Sequence, residues 1–549
     1  MKTTHRAFLP ALLLALSLAA LPATASDAAP PYSATPDFAT NPFFPGQEGG
    51  DFGTGLALAD INGDGYKDMV VSSGNDKALQ RVAVYLNRRD GTFPADPDWI
   101  SDDTDHHGTL AVGDIDGDGD NDVAVSVFLG QKLEYEKGGI KVYYNNGGIL
   151  NSTPSFTDTG YPSFGCALGD IDGDGDLDLA VACGEPIPEV ESFATQECTT
   201  RAAALRAKQG VTPTDNPQPP FKVHNRIYIN QGSGYSTDAG AVWLTSDEFV
   251  AMAVTFGDVN QDGLMDVIFD SAPVRLYLGR QTALPDTAPG WTSEDENYYG
   301  NGIDFAPTIH MGDDEDTVPT IAASGNSYMG KGRGGFALYR FLDPFVIQYA
   351  PRTSLPIWTS RYGGWGSAVR LADLDMDGNL DLVTHRWNTP GRNELAGTLL
   401  VYLGNGATYP DTWDWSSSKE HASIIEAIDL ADLDRGMETP GMFQEAVSGD
   451  QWGEGQTGQS VFYLGPQIVE QVVAAYRRNG GGDWTHLKAG KDYTFVPGRA
   501  WVSFAKPFAV KEEVKVLFTV SPQLDIAYTN WNCDLGNFIY YHKAGGADE

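Results

Sequence analysis

The sequence predicts an all-β protein: a β-propeller, eight blades favoured and seven the alternative, carrying a small inserted β-sandwich. Three observations predict it. Five nonapeptides of the form Asp-x-Asp/Asn-x-Asp-Gly-x-x-Asp start at Asp60, Asp114, Asp170, Asp258 and Asp373. Each runs straight into an apolar, β-branched segment (69–71, 123–125, 179–181, 267–269) that reads as a strand. Successive starts lie 54, 56, 88 and 115 residues apart, and periods of about 50 residues with several short strands each mark propeller blades.

The nonapeptides are built to wrap a hard cation. Positions 1, 3, 5 and 9 offer side-chain oxygens, position 7 a backbone carbonyl, and position 6 is always glycine, where a sharp turn needs φ > 0. The ligand sets are Asp60, Asn62, Asp64, Tyr66 and Asp68; Asp114, Asp116, Asp118, Asp120 and Asp122; Asp170, Asp172, Asp174, Asp176 and Asp178; Asp258, Asn260, Asp262, Leu264 and Asp266; and Asp373, Asp375, Asp377, Asn379 and Asp381. About five structural Ca²⁺ ions are expected, because so many carboxylates in one loop repel unless neutralised. An EF-hand is excluded. Its twelfth residue is a bidentate Glu, whereas here that position is Val71, Val125, Val181, Phe269 or Thr384.

In chain order, residues 1–25 read as a cleaved signal peptide: Lys2 and Arg6, an apolar run, then Ala23-Thr24-Ala25. Residues 26–465 form the propeller. The segment 37–40 has no blade of its own and is expected to close the ring as the outer strand of the last blade, which removes exposed edges. Third strands ending in aromatics recur at 82–86, 140–144, 226–229, 274–278, 336–339, 399–403 and 460–464. The 115-residue step predicts a hidden repeat, placed at 309–313 and 321–325, whose loop 314–316 has lost the metal spacing. A further degenerate copy is 429–434. Residues 184–225 are an insertion with a short helix near 199–209. Residues 466–521 alternate in a second β pattern and read as a small inserted domain, after which 522–549 return to the last blade.

The chain resembles the FG-GAP or VCBS repeat family, which includes the integrin α-chain propellers. The resemblance rests on Phe52-Gly53, Phe164-Gly165 and the Asp-rich loops, and spans roughly 36–465 and 522–545. It implies a calcium-stabilised propeller, usually a secreted or surface binding module, with ligands on the face opposite the loops.

The formal net charge is −38. The loops hold 20 of the 74 acids, and what five Ca²⁺ leave uncompensated still argues against nucleic acid or anionic membrane as partner. Polyanions are disfavoured unless a local basic patch exists. No stretch after the signal is apolar enough to span a membrane, so a periplasmic, secreted or surface location is expected. Of three possible pairings among Cys166, Cys183, Cys198 and Cys533, a Cys183–Cys198 bridge at the root of the insertion is the expected one.

Aligned inner strands put Ala57, Ala111, Ala167, Thr255, His310, Arg370 and Asp429 toward the central channel. His310, Arg370 and Asp429 are therefore candidate catalytic or ligand groups; the plain alternative is an Arg370–Asp429 ion pair beside a solvated histidine. Trp99, Trp243 and Trp358 each lie 15 residues before a loop Asp, with Trp291, Trp413 and Trp415 as looser versions. With His106 and His107 they are ligand candidates, as sugar-stacking platforms; the alternative is blade packing. Tyr328 and Arg333 are weaker candidates. No nucleophile elbow, P-loop, dinucleotide fingerprint or His-Glu-x-x-His occurs. The expected function is binding or adhesion to carbohydrate or protein surfaces; the alternative is a polysaccharide enzyme of lyase type.

Overall fold

A computed structural model describes residues 32–184, 196–210, 222–280, 284–294, 300–306, 319–325, 335–341, 354–361, 366–375, 377–387, 397–405, 408–421, 424–434, 442–447, 458–464, 468–480, 482–509, 511–520 and 523–543. Among them are seven four-stranded antiparallel sheets of blade type. Blade one is Gly53–Ala59, Asp68–Ser73, Val82–Tyr85 and Trp99–Ile100, innermost to outermost. Blades two to six repeat this order, with inner strands His106–Gly113, Ser163–Gly169, Ala251–Gly257, Ile303–Ala306 and Gly366–Ala372.

Blade seven is assembled from distant segments. Its inner strand Ile428–Ala431 pairs with Asp525–Tyr528, then Phe538–Tyr540, then Phe38–Ala39 on the outside. The N-terminal segment thus supplies the outermost strand and fastens the ring.

The blades adhere through one repeated aromatic contact. The third strand of each carries a fully buried tyrosine (Tyr85, Tyr143, Tyr228, Tyr277, Tyr339, Tyr402, Tyr540). For five of them the preceding blade's outer strand lays an indole against it: Trp99–Tyr143 at 6.0 Å, Trp243–Tyr277 at 5.3 Å, Trp291–Tyr339 at 5.7 Å, Trp358–Tyr402 at 5.4 Å and Trp415–Tyr540 at 5.6 Å; Phe156 takes this place against Tyr228 at 5.6 Å. Each edge-to-face pair contributes about 0.5–1.5 kcal/mol beyond the area it buries. Trp243 and Trp358 are 5% and 8% exposed, so this packing overturns their reading as sugar platforms.

Two sequence expectations shift. Val461–Tyr463 does not end a blade; it pairs with Trp501–Phe504, which pairs with Tyr493–Thr494. The inserted unit is also larger than 466–521, because Met442–Val447 joins Glu512–Val520, Val469–Asn479 and Thr485–His486 in a second sheet. The two sheets enclose a core including Phe462, Val472, Val502, Phe504, Val516 and Phe518. The unit interrupts the last blade between its first two strands.

The disulfide joins Cys198 to Cys533, while Cys166 and Cys183 are buried thiols. The expected Cys183–Cys198 staple is therefore corrected. Cys183 sits inside a blade strand with Val181 O as acceptor, whereas the helix Gln196–Gln209 carries Cys198 away to the seventh blade. There Phe52, Ala202, Leu205, Trp387 and Trp531 pack around the bridge. No described helix is long and apolar enough to cross a membrane.

Candidate metal loops and the channel they surround

The five loops share one local design. The glycine at position 6 has φ between 81° and 101° in every copy (Gly65, Gly119, Gly175, Gly263, Gly378), and its N–H donates to the first aspartate: Gly65 to Asp60 at 2.7 Å, Gly119 to Asp114 at 3.0 Å, Gly263 to Asp258 at 2.8 Å. The ninth aspartate ties the loop to its blade. One oxygen of Asp178 accepts from Ile171 N and the other from Asn230 N, both at 2.8 Å. Asp68, Asp122, Asp266 and Asp381 repeat this double bond from the corresponding amides.

The donor set suits a hard divalent cation. Carboxylate oxygens of Asp114, Asp116 and Asp122 lie within 4.8 Å of one another, as do those of Asp170, Asp172 and Asp178, and of Asp373, Asp375 and Asp381. Asp114 Oδ1, Asp172 Oδ1 and Asp373 Oδ1 are buried and accept no hydrogen bond from the protein, a costly state for a carboxylate unless a cation is its partner. Burial, reinforced by neighbouring carboxylates, pushes Asp114 up to about 6 and Asp170 and Asp373 up to about 7. Asp178, Asp258, Asp266 and Asp381 rise well above the usual range, chiefly through burial.

A sixth cluster lies at the degenerate copy 429–434, completed by a residue that the sequence pattern does not join to it. Asp432, Asp434 and Asp525 bring carboxylate oxygens within 4.8 Å, and Asp525 accepts from Leu433 N at 2.8 Å and His542 N at 2.7 Å. Asp525 is thus the ninth residue of a loop split by the inserted unit. The signal was present: Asp525-Ile526-Ala527 matches the ninth-position starts Asp122-Val123-Ala124 and Asp178-Leu179-Ala180, but about 90 residues separate it from Asp434.

The inserted unit sits on the loop face. Ser503 Oγ donates to Asp170 Oδ2 at 2.7 Å, Asp258 N donates to Tyr463 Oη at 2.5 Å, and Ser460 N donates to Gly263 O at 2.9 Å. Lys67 Nζ donates to Glu470 O at 2.7 Å. Its three-stranded sheet therefore faces the propeller, and the other sheet touches it through Glu470.

The channel holds the largest difference from the sequence alignment. His310 lies outside the described residues, as do Tyr328, Arg333 and the loop 314–316. The fifth inner strand is Ile303–Ala306, and Asp304, facing Ala322 as Ala111 faces Ala124, takes the channel position.

Arg370 Nη2 meets Asp429 Oδ1 at 2.5 Å and its Nη1 lies 3.7 Å from Asp304 Oδ1. Arg499, on a loop of the inserted unit, also pairs with Asp304. Both carboxylates are further used by the backbone: Leu58 N donates to Asp429 and Leu371 N to Asp304, each at 2.9 Å. Arg370 and Asp429 are thus locked into a network that bridges blades and cap. It bounds a chamber of about 150 Å³, closed toward the loops by Val496, Pro497, Arg499 and Trp501, and lined at its other end by Asn301 and Glu426. Burial pushes Glu426 up to about 8.

On the opposite face, His106 and His107 are fully buried. Burial drives His106 down to about 4 and lowers His107, whose Nδ1 meets Ser73 O at 3.0 Å. Their surface-ligand reading is corrected: both are neutral strand residues, and the helix Gln196–Gln209 lies close by, with Arg206 donating to Asp76 O. Trp99 is half-exposed.

Comparison with known proteins agrees with this architecture. A family model described as an FG-GAP-like repeat matches residues 60–125, 127–181 and 214–269. Integrin alpha-4 of Xenopus laevis is 33% identical over 152 residues, covering 24% of this chain and 14% of the integrin. Integrin alpha-V of Gallus gallus is 33% identical over 151 residues, with the same coverage. The chain therefore spans about a seventh of these relatives. The crystal structure of the V. cholerae biofilm matrix protein Bap1 covers 94% of this chain and 76% of its own, at 12% identity and a TM-score of 0.26. The matched repeats carry the loops and strands of blades one to four, and over them the chain is similar to FG-GAP-repeat proteins.

Proposed function

We propose that this protein is an exported, calcium-stabilised propeller that acts as a binding or adhesion module toward carbohydrate or protein surfaces. The observation that carries the reading is the set of repeated acidic loops with buried, unpartnered carboxylate oxygens in an FG-GAP framework, a framework shared with integrin α chains. Calcium would be held by the five loops, and by Asp432, Asp434 and Asp525 in the split one. It supplies neutralisation, fixing strands so that surfaces on their rims keep one shape. The integrin likeness also supports an extracellular or surface setting. Arg370 and Asp429 serve this reading as structure, since they pair with each other and Asp429 also accepts from Leu58 N.

The test is a glycan and matrix-protein array probed with the intact protein in calcium and in EGTA, beside a 235 nm assay on uronate polymers. Calcium-dependent capture without unsaturated product is expected. Unsaturated product at catalytic rates would replace adhesion with the lyase reading.

A further inference from the structure

The inserted unit differs in charge from everything around it. Residues 442–520 hold eight Lys and Arg against eight Asp and Glu, a balanced unit in a chain with 36 against 74. Because its three-stranded sheet is spent on the propeller, what the molecule presents over the centre of the loop face is the outer surface of the other sheet. Strand Glu512–Val520 alternates strictly: Val514, Val516, Phe518 and Val520 are buried in the sandwich core, and Glu513, Lys515, Leu517 and Thr519 point outward, half-exposed.

On that outward surface aromatic and basic groups sit together. Tyr476 faces Lys515 on one neighbouring strand and His486 on the other, with the Tyr476 and His486 rings 5.0 Å apart. Arg478 lies over the half-exposed Trp484 ring at 4.3 Å and is oriented by Glu513, its cross-strand partner. His486 is exposed, and Val473 on the same sheet is 48% exposed. An indole and a phenol beside a guanidinium and an ammonium match the two halves of an acidic sugar: ring faces to stack and carboxylates to pair. A strongly acidic body around the patch would repel polyanions everywhere else, which restricts their approach to this sheet.

We infer that the outer sheet of the inserted unit, through Tyr476, Arg478, Trp484 and Lys515, binds a carboxylated polysaccharide. The inference rests on the adhesion reading and gives it a ligand class and a place. The probe is a fluorescent hyaluronan oligosaccharide titrated into the intact, calcium-loaded protein, with dextran of equal length, duplex DNA and phosphatidylserine vesicles as parallel arms. Saturable hyaluronan binding is expected, with dextran, DNA and vesicles unbound. Affinity should weaken steeply between about 50 and about 300 mM NaCl. Trp484→Ala and Lys515→Glu should each raise Kd about tenfold or more, the loss of one stacked ring or one close charge, and Lys515→Gln should fall between. These side chains are half-exposed, so unchanged melting and circular dichroism certify the fold.

Hyaluronan binding indifferent to these variants, or DNA or vesicles bound as tightly, overturns the inference. No hyaluronan binding, with capture of another glycan or protein on the array, overturns it while leaving adhesion standing. Silence in both experiments removes both.

Discussion

The loop of blade three and the loop of blade seven perform the same local task by different routes. In blade three, Asp170 to Asp178 are nine consecutive residues, and the ring they close is small. In blade seven, Asp432 and Asp434 meet Asp525 across the whole inserted unit. The end geometry is the same: Asp178 and Asp525 each accept one amide from the loop and one from beyond the third strand. A loop of nine residues pays little closure entropy, whereas the split loop depends on a folded domain to return the chain to its start. The first is a local motif and the second is a tertiary structure. Any agent that acts on the acidic loops should therefore loosen blades locally at the first and release a domain at the second.

Calcium removal is the largest perturbation of this kind. A ligand at a thousand times its Kd stabilises the native state by about 4 kcal/mol per site, and several sites act together. Scanning calorimetry in EGTA should show the melting midpoint lowered by roughly 10 °C or more. An unchanged midpoint would sink the metal assignment, and with it the equivalence of the two loops.

Single aspartates separate the loops next. Asp178→Ala and Asp525→Ala each leave two amides without an acceptor at a buried position and should cost about 3–5 kcal/mol, read as reduced denaturation midpoints. Only Asp525→Ala should also let limited proteolysis at low temperature separate the inserted unit from the propeller. Equal protease patterns from both variants would mean that the inserted unit is held by its contacts with Asp170, Asp258 and Lys67 alone.

These two loops also mark what the sequence could and could not disclose. Periodicity and spacing exposed the propeller, the five contiguous loops and the third-strand tyrosines, because those signals repeat within nine to sixty residues. It left three things hidden. Asp525 carries the strand signature of a ninth residue, but the spacing that would join it to Asp432 and Asp434 is broken by the inserted unit. Asp304 lies six positions before His310, which sits in an equally apolar frame, and the pairing of Asp304 with Ala322 is a tertiary fact that the local pattern does not mark. Arg499 has no local mark at all: its role arises from where a different sheet happens to be laid. The tryptophans were misleading for another reason, since packing against the next blade's tyrosine and stacking on a sugar demand the same residue.

Proton linkage sharpens the comparison at smaller cost. Without metal, burial holds Asp68 and Asp114 at about 6 and Asp122, Asp170 and Asp373 at about 7, against an ordinary value of 3.8 for the carboxyl. Raised folded-state values mean that the native state binds these protons more tightly than the unfolded chain does. The associated stability is present below pH 3.8 and is lost as pH rises through 6 to 7. In EGTA the melting midpoint should therefore fall by several degrees between pH 5 and pH 8. In saturating calcium the trend should flatten or reverse, because the ion takes the place of the protons. A calcium-free protein that grows more stable from pH 5 to 8 would contradict the buried-carboxylate picture.

The smallest expected effect concerns the cap over the channel. Arg499 reaches from the inserted unit to Asp304, whose side chain is 4% exposed. Removing one partner of a buried pair commonly costs about 3–5 kcal/mol, because the other charge is left alone. Asp304 would not be alone: Arg370 stands 3.7 Å away and Leu371 N still donates at 2.9 Å. Arg499→Met should accordingly cost only about 1–2 kcal/mol in chemical denaturation, within the range of one charged hydrogen bond. Arg499→Glu is the sharper variant, since it sets a third carboxylate beside Asp304 and Asp429, and Arg370 alone cannot neutralise three. It should weaken docking of the inserted unit while the propeller's own transition stays in place, so the melt separates into two steps. A single cooperative transition shifted as a whole would mean that cap and propeller form one folding unit, with the split loop of blade seven as its hinge pin rather than its weak point.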